Sequence, residues 1–461
     1  MRSLLNLGKT RLGLGTAVGF YGIFVQLVVQ LVSVPVLTHN WGLAGYGAWV
    51  MLFSVPSLLA MADLGLTTAG ANSMTEAAAQ GDLPRAARIH MALRVVTAAT
   101  GLVLLALAAL FIFVLRPGGL DFGAAMPRPE AATVALLLCL YGFLALVNGV
   151  TLAGFRAADS FAYSGMLYQT VVLVEAAAAL GLALAGGSPV QVAAAYLLAR
   201  LAGTVLMSLA LHRKAPWLRH TDWHVDGKEV RGLLRPALAA LVLPGAQAVT
   251  IQGSVMVIGA VGGPAAVPAF AVVRTLSRTA LQFAFRFNVA SMPRYTVHAA
   301  QGDHARASQL VLLNVAVAAL LVIPAALGML LLGQWFVALW TGGLIVPGFA
   351  LLAVMIAGML ADAAWFPLSN LLLAINRHGS WTYVYLIAAV VSIAAGIPLV
   401  AAMGALGMAW ALLAQELVMM VWVWSMASRL GLVSWAELRS GTGGLIAELR
   451  ARQTSVKAKL P

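Results

Sequence analysis

Twelve long apolar runs alternate with short polar segments along the chain. A helix needs about 20 predominantly apolar residues to cross a bilayer, because the hydrocarbon core is about 30 Å thick and a helix rises about 1.5 Å per residue. The runs predict spans near 12–38, 42–64, 91–115, 131–153, 163–186, 189–212, 236–261, 265–289, 309–333, 347–373, 381–402 and 404–428. The first run is too long for a signal peptide and has no small-residue cleavage site after a short apolar core, so it is expected to be retained. The predicted fold class is an all-α polytopic membrane protein with twelve transmembrane helices.

Composition agrees: 62% of residues are hydrophobic and 9% charged, with a mean hydropathy of +0.93. No segment is large enough for a separate soluble domain. The single cysteine, Cys139, lies inside an apolar run and reads as a packing residue. The net charge of +13 is unevenly placed. Arg2, Lys9, Arg11, Arg85, Arg88, Arg94, Arg156, Arg213, Lys214, Arg219, Lys228, Arg231, Arg235, Arg294, Arg306, Arg377 and the basic residues after Ser428 fall on one side, against Arg116 and Arg128 on the other. Basic loops stay cytoplasmic, so both termini are predicted cytoplasmic. The scatter of these residues over short loops argues for attraction to anionic lipid heads and against a nucleic-acid partner.

A short pattern recurs at an offset of 221 residues: Ala79-Gln80-Gly81-Asp82 with Arg85-Ala86 returns as Ala300-Gln301-Gly302-Asp303 with Arg306-Ala307. The same offset carries Arg156 onto Arg377 and Gly42 onto Gly263. Each half then holds six spans, and an even number returns the chain to the same side, which makes the halves parallel repeats. The expected organisation is a six-helix lobe over 1–212, a cytoplasmic linker over 213–235, a second six-helix lobe over 236–428 and an interfacial tail over 429–461. Two parallel lobes around a central cavity suggest a transporter that exposes its substrate alternately to each side. The tail joins Leu445, Ile446 and Leu449 to Arg450, Arg452, Lys457 and Lys459, a composition suited to the membrane surface.

Charge inside the spans is the chemical clue, since a central arginine costs about 2.5 to 3.5 kcal/mol on insertion scales. Arg274 and Arg278 are four apart in span 8, which places them on one helix face, with Arg286 further toward the cytoplasmic mouth and Arg200 in span 6. A guanidinium donates paired hydrogen bonds and keeps its charge, so the four are candidate contacts for a phosphate or another anion. Glu175, Asp362 and Glu416 lie at depth, with Asp63 at the inner end of span 2. These four admit two roles: charge balance for a buried arginine, or binding of a coupling proton or sodium ion.

At the amino end, Pro35, the stretch from Gly42 to Trp49 with its Tyr46-Gly47 pair, Asp63-Leu64-Gly65-Leu66 and Asn72 resemble the opening of the Wzx-type repeat-unit flippases. These form the polysaccharide-transporter branch of the multidrug, oligosaccharidyl-lipid and polysaccharide (MOP) exporter superfamily. Arg274-Thr275-Leu276 is similar to a further family feature. The resemblance implies transfer of a polyprenyl-diphosphate-linked oligosaccharide, a unit of O-antigen, capsule or exopolysaccharide, from the cytoplasmic to the outer leaflet of a bacterial inner membrane. Partners would be that glycan, membrane lipids and the polysaccharide polymerase or ligase machinery, with a monomer as the default.

Two related readings stay open: a peptidoglycan-precursor (lipid II) flippase, whose family carries two additional spans, and a cation-coupled multidrug exporter, which would want an acidic cavity. An integral-membrane enzyme would be expected to present a large outer loop, whereas the longest outer connection, from Arg116 to Glu130, has about 15 residues. No cofactor is called for, and no Gly-rich phosphate loop ending in Lys-Ser or Lys-Thr occurs in the cytoplasmic segments. His212, His220 and His224 lack convincing further ligands for a metal and read, with Trp217 and Trp223, as an interfacial loop.

Overall fold

In a computed structural model, the chain consists of helices joined by short turns over its described residues, which are 11–62, 64–110, 121–218, 227–301, 304–374 and 379–430 with Ile112 and Leu432. Thirteen α-helices follow in order: α1 (Arg11–Ala62), α2 (Leu64–Ala79), α3 (Leu83–Leu110), α4 (Arg128–Ala157), α5 (Phe161–Leu184), α6 (Pro189–Lys214), α7 (Gly227–Ala248), α8 (Ser254–Gly262), α9 (Val267–Ala300), α10 (His304–Trp340), α11 (Phe349–Ala374), α12 (Gly379–Met403) and α13 (Ala405–Arg429). Asp63, His220, His224, Trp223 and the tail beyond Leu432 lie outside the described residues, as do Gly302 and Asp303 of the second repeat motif.

Ten segments among the described residues are long and apolar enough to cross a membrane. One of them, Ala17–Leu58, has 42 residues, which as a helix is about 63 Å, twice the ~30 Å of hydrocarbon. It is broken at Gly42, where φ is 69° and ψ 177°, a conformation essentially reserved for glycine. Two predicted spans therefore meet there. The other difference from the sequence expectation is α9: its 34 residues suffice to span, but Arg274, Arg278 and Arg286 lower its hydropathy. Gly263 has φ 84° and ψ 160°, so the repeat offset joins two glycines that end a helix in the same unusual conformation.

Local chemistry sets several boundaries. Asp82, from the first repeat motif, accepts the Arg85 N–H at 2.9 Å and starts α3. Ser188 and Gln191 form a reciprocal cap at 2.8 and 3.4 Å, with Pro189 in the first turn of α6 and His212, Arg213 and Lys214 in its last turn. The Trp41 indole donates to the Gly187 carbonyl at 3.2 Å. A methyl group on Gly47 would sit 1.8 Å from the Pro264 carbonyl oxygen, so only glycine allows this approach. Large apolar side chains also cover the outside: on α10, Leu320 is 72% and Leu331 80% exposed, as a lipid-facing surface requires.

The chain divides into two compact units. The first comprises Met1–Val272, Phe336–Val346 and Ile393–Met408; the second comprises Val273–Trp335, Pro347–Ser392 and Ala409–Pro461. In the first, Leu66, Met74, Ile89, Leu93 and Val150 of α2, α3 and α4 form one core. In the second, Val273, Leu281, Val322, Leu352, Ile356 and Met359 of α9, α10 and α11 form another.

Candidate functional site

Within the first unit, α5 and α6 bring Glu175 and Arg200 together. Arg200 Nη2 lies 2.7 Å from Glu175 Oε2, and the two side chains are 3% and 1% exposed. Tyr141 of α4 closes the cluster: its hydroxyl donates to Glu175 Oε2 at 3.4 Å and accepts from Arg200 Nη2. Arg200 Nη1 also donates to the Tyr168 hydroxyl at 3.5 Å. The guanidinium carbon stands 4.5 Å from the Tyr141 ring centroid and 5.6 Å from that of Tyr168, close enough for cation–π attraction. Further in, Phe53, Tyr141 and Tyr196 pack with centroids 5.7 to 5.9 Å apart. One helical turn along α6, the Thr204 hydroxyl donates to the Arg200 carbonyl at 2.8 Å and accepts from Asn148 at 3.0 Å.

This arrangement favours charge retention without access. Desolvating each ion costs several kcal/mol, and the pair recovers it only through close geometry and added hydrogen bonds. The tyrosine hydroxyls supply part of those bonds, while Glu175 Oε1 and Arg200 Nε stay buried without a hydrogen-bond partner among the described residues, and the sealed position keeps solutes away. Arg200 is thereby committed to Glu175.

The second unit holds charge differently. Arg278 of α9, Asp362 of α11 and Glu416 of α13 lie within electrostatic reach of one another. The Trp365 indole donates to Glu416 Oε2 at 2.9 Å. Trp365 also packs against Trp381 and Tyr385 at 6.0 and 5.9 Å, while Phe285 and Phe366 stack at 3.6 Å. Arg278 is exposed, whereas Asp362 and Glu416 are half-buried. Arg274 is half-buried one turn earlier on the same face of α9. Arg286 is exposed two turns beyond Arg278, displaced by about 80° around the helix because eight residues overshoot two turns.

Of the charged residues named from the sequence, the structure brings Glu175 to Arg200, and Arg278 to Asp362 and Glu416. Tyr141, Tyr168 and Trp365 were missed. The available signal was their position: Trp and Tyr usually collect at span ends, whereas these three lie well inside α4, α5 and α11. His212, expected in a loop, is half-buried in the last turn of α6 with Nδ1 2.7 Å from the Ser208 carbonyl oxygen. The helix of span 6 continues two residues past the expected boundary, to Lys214.

The fold has counterparts among solved structures. An inward-facing multidrug-resistance MATE-family transporter of the MOP superfamily superposes with a TM-score of 0.73 at 13% identity, covering 89% of this chain and 96% of that one. The lipid II flippase MurJ, in an inward closed conformation, gives 0.68 at 11% identity over 90% and 87% of the two chains. A MOP-superfamily transporter from Pyrococcus furiosus, described for the reversed polarity of its binding pocket, gives 0.66 at 15% identity over 92% and 95%. No family model and no curated protein matches the sequence. At these identities the likeness establishes the fold: an all-helical membrane protein of the architecture shared by MATE transporters and MurJ.

Proposed function

We propose that the protein is a transporter that moves a polyprenyl-diphosphate-linked oligosaccharide from the cytoplasmic to the outer leaflet of a bacterial inner membrane by alternating access. The observation that carries this reading is Arg278: it is exposed in a helix of membrane-spanning length, and a guanidinium exposed within a span would demand water or an anion rather than lipid. Arg274 on the same face, with Arg286 further along, would extend the contact to a diphosphate or acidic sugar. Arg200 would act from a distance by holding the first unit's charged cluster. Asp362 and Glu416 would set the charge around Arg278 and are the candidates for coupling to an ion. The membrane potential favours outward movement of an anionic head by about 2.3 kcal/mol per charge per 100 mV.

Fold likeness to MurJ supports lipid II as an alternative cargo. Likeness to a multidrug MATE transporter, together with the paired carboxylates Asp362 and Glu416, supports a cation-coupled exporter. Native mass spectrometry of the protein gently extracted from its own host separates the three. A co-purifying polyprenyl-diphosphate glycan supports the proposal and its mass identifies the sugars; a lipid II mass selects the second reading. Binding of a lipophilic cation in competition with protons, with no glycolipid present, selects the third. The glutamine variants Arg274→Gln and Arg278→Gln are expected to lose surface-polysaccharide export at normal folded yield.

A further inference from the structure

A separate pocket of about 380 Å³ opens inside the first unit between α3, α4 and α6. Most of its polar lining comes in two helical stripes, His90, Arg94 and Thr97 on α3, and Thr204, Ser208 and His212 on α6, with Thr151 added from α4. Spacings of three and four residues turn each stripe toward the same side of its helix. The α6 stripe runs about 12 Å along the helix axis, toward the end where α3 begins and α4 and α6 finish. Arg85, Arg88, Arg213 and Lys214 are exposed at that end.

Three features point to an anionic ligand. Arg94 and His212 both lie within electrostatic reach of His90, and no carboxylate is among the described residues that line the pocket, so its lining carries the Arg94 charge with no acidic side chain beside it. The Thr97 side chain is only 2% exposed, and its hydroxyl oxygen is buried without a hydrogen-bond partner among the described residues. A buried hydroxyl without a partner costs about 1 to 3 kcal/mol, which a bound acceptor would offset. Beside these groups, Val205 and Leu209 are 51% and 55% exposed on the flank of α6, an apolar wall next to a cationic recess.

We propose that this pocket holds the phosphate of an anionic phospholipid from the adjoining leaflet, with Arg94 and His212 on the phosphate, the Thr97 hydroxyl donating to one of its oxygens, and an acyl chain along Val205 and Leu209. A free phosphate would use the cationic recess and leave the apolar wall idle. The site is independent of the transported substrate, whichever cargo the protein carries.

The test is native mass spectrometry of the purified full-length protein in detergent, titrated with phosphatidylglycerol or with phosphatidylcholine of the same acyl chains. The wild type is expected to retain one phosphatidylglycerol roughly tenfold more tightly than phosphatidylcholine, and Arg94→Gln to abolish that preference. Arg88→Gln, an equal charge change two residues before His90 and off the pocket stripe, is expected to keep it. Equal retention of the two lipids, or equal losses in Arg88→Gln and Arg94→Gln, would overturn the site in favour of diffuse surface attraction. Displacement of the lipid by millimolar inorganic phosphate would overturn the lipid assignment in favour of a soluble phosphate. If Arg94→Gln lowers folded yield, Ser208→Leu fills the recess without changing charge; unchanged lipid preference in that variant also overturns the proposal.

Discussion

The two charged clusters answer the same physical problem in opposite ways. In the first unit, Glu175 and Arg200 neutralise each other at 2.7 Å with 1% and 3% exposure, and the Tyr141 and Tyr168 hydroxyls bond the guanidinium nitrogens. In the second, Arg278 is exposed beside half-buried Asp362 and Glu416. Buried polarity by itself is therefore a poor guide to a site. What distinguishes the clusters is whether a cation has been left accessible after the protein's own carboxylates have taken their positions.

The sharpest challenge to this contrast is Arg200→Leu, which strands Glu175 in a sealed environment. It is expected to cost about 3 to 5 kcal/mol, read as a large fall in thermal stability in detergent. Replacing both partners, Glu175→Leu with Arg200→Met, is expected to restore most of it; equal destabilisation by the single and double variants would contradict a mutually neutralising pair. Next, Arg278→Gln is expected to leave stability nearly unchanged while reducing export about thirtyfold, the equivalent of ~2 kcal/mol of lost charged hydrogen bonding. A stability loss matching that of Arg200→Leu would erase the distinction between the clusters.

A smaller effect is expected from Tyr141→Phe, which removes one hydroxyl but leaves the Glu175–Arg200 contact. It should lower stability by about 1 kcal/mol, measurable as a shift in denaturation midpoint. Asp362→Asn is expected to cost under about 1 kcal/mol of stability, because Arg278 retains solvent access. Its informative readout is transport under an imposed proton or sodium gradient. Loss of the gradient response with substrate binding intact would assign Asp362 to coupling, whereas unchanged response would assign it to charge balance.

The span pattern was legible because each run of about 20 apolar residues carries its own thermodynamic instruction. The two segments that depart from a simple apolar count also had visible causes: Gly42 interrupts one long helix, and the arginines of α9 lower its hydropathy. Side-chain pairing was not legible. Glu175 and Arg200 meet because α5 and α6 pack antiparallel, and nothing in their 25-residue separation selects that pair over Glu175 with another arginine. Tyr141 was invisible for the same reason, since its role depends on α4 facing both partners. The α3–α6 pocket was hidden more deeply: His90, Arg94, Ser208 and His212 are unremarkable in either helix alone and become a cationic recess only when the helices face each other.

The first unit is also discontinuous in time. It requires Ile393–Met408 as well as Met1–Val272, so its last piece leaves the ribosome some 136 residues after Val272, a delay of about 7 to 27 s at ordinary synthesis rates. During that interval the surface that will receive the late segment is still uncovered by it. The Trp340 indole, which donates to the Leu31 carbonyl at 2.7 Å, arrives midway. Assembly is thus a sequence of late closures on a waiting template, and a ribosome-arrested chain ending before Ile393 should display protease-sensitive sites that vanish when synthesis resumes.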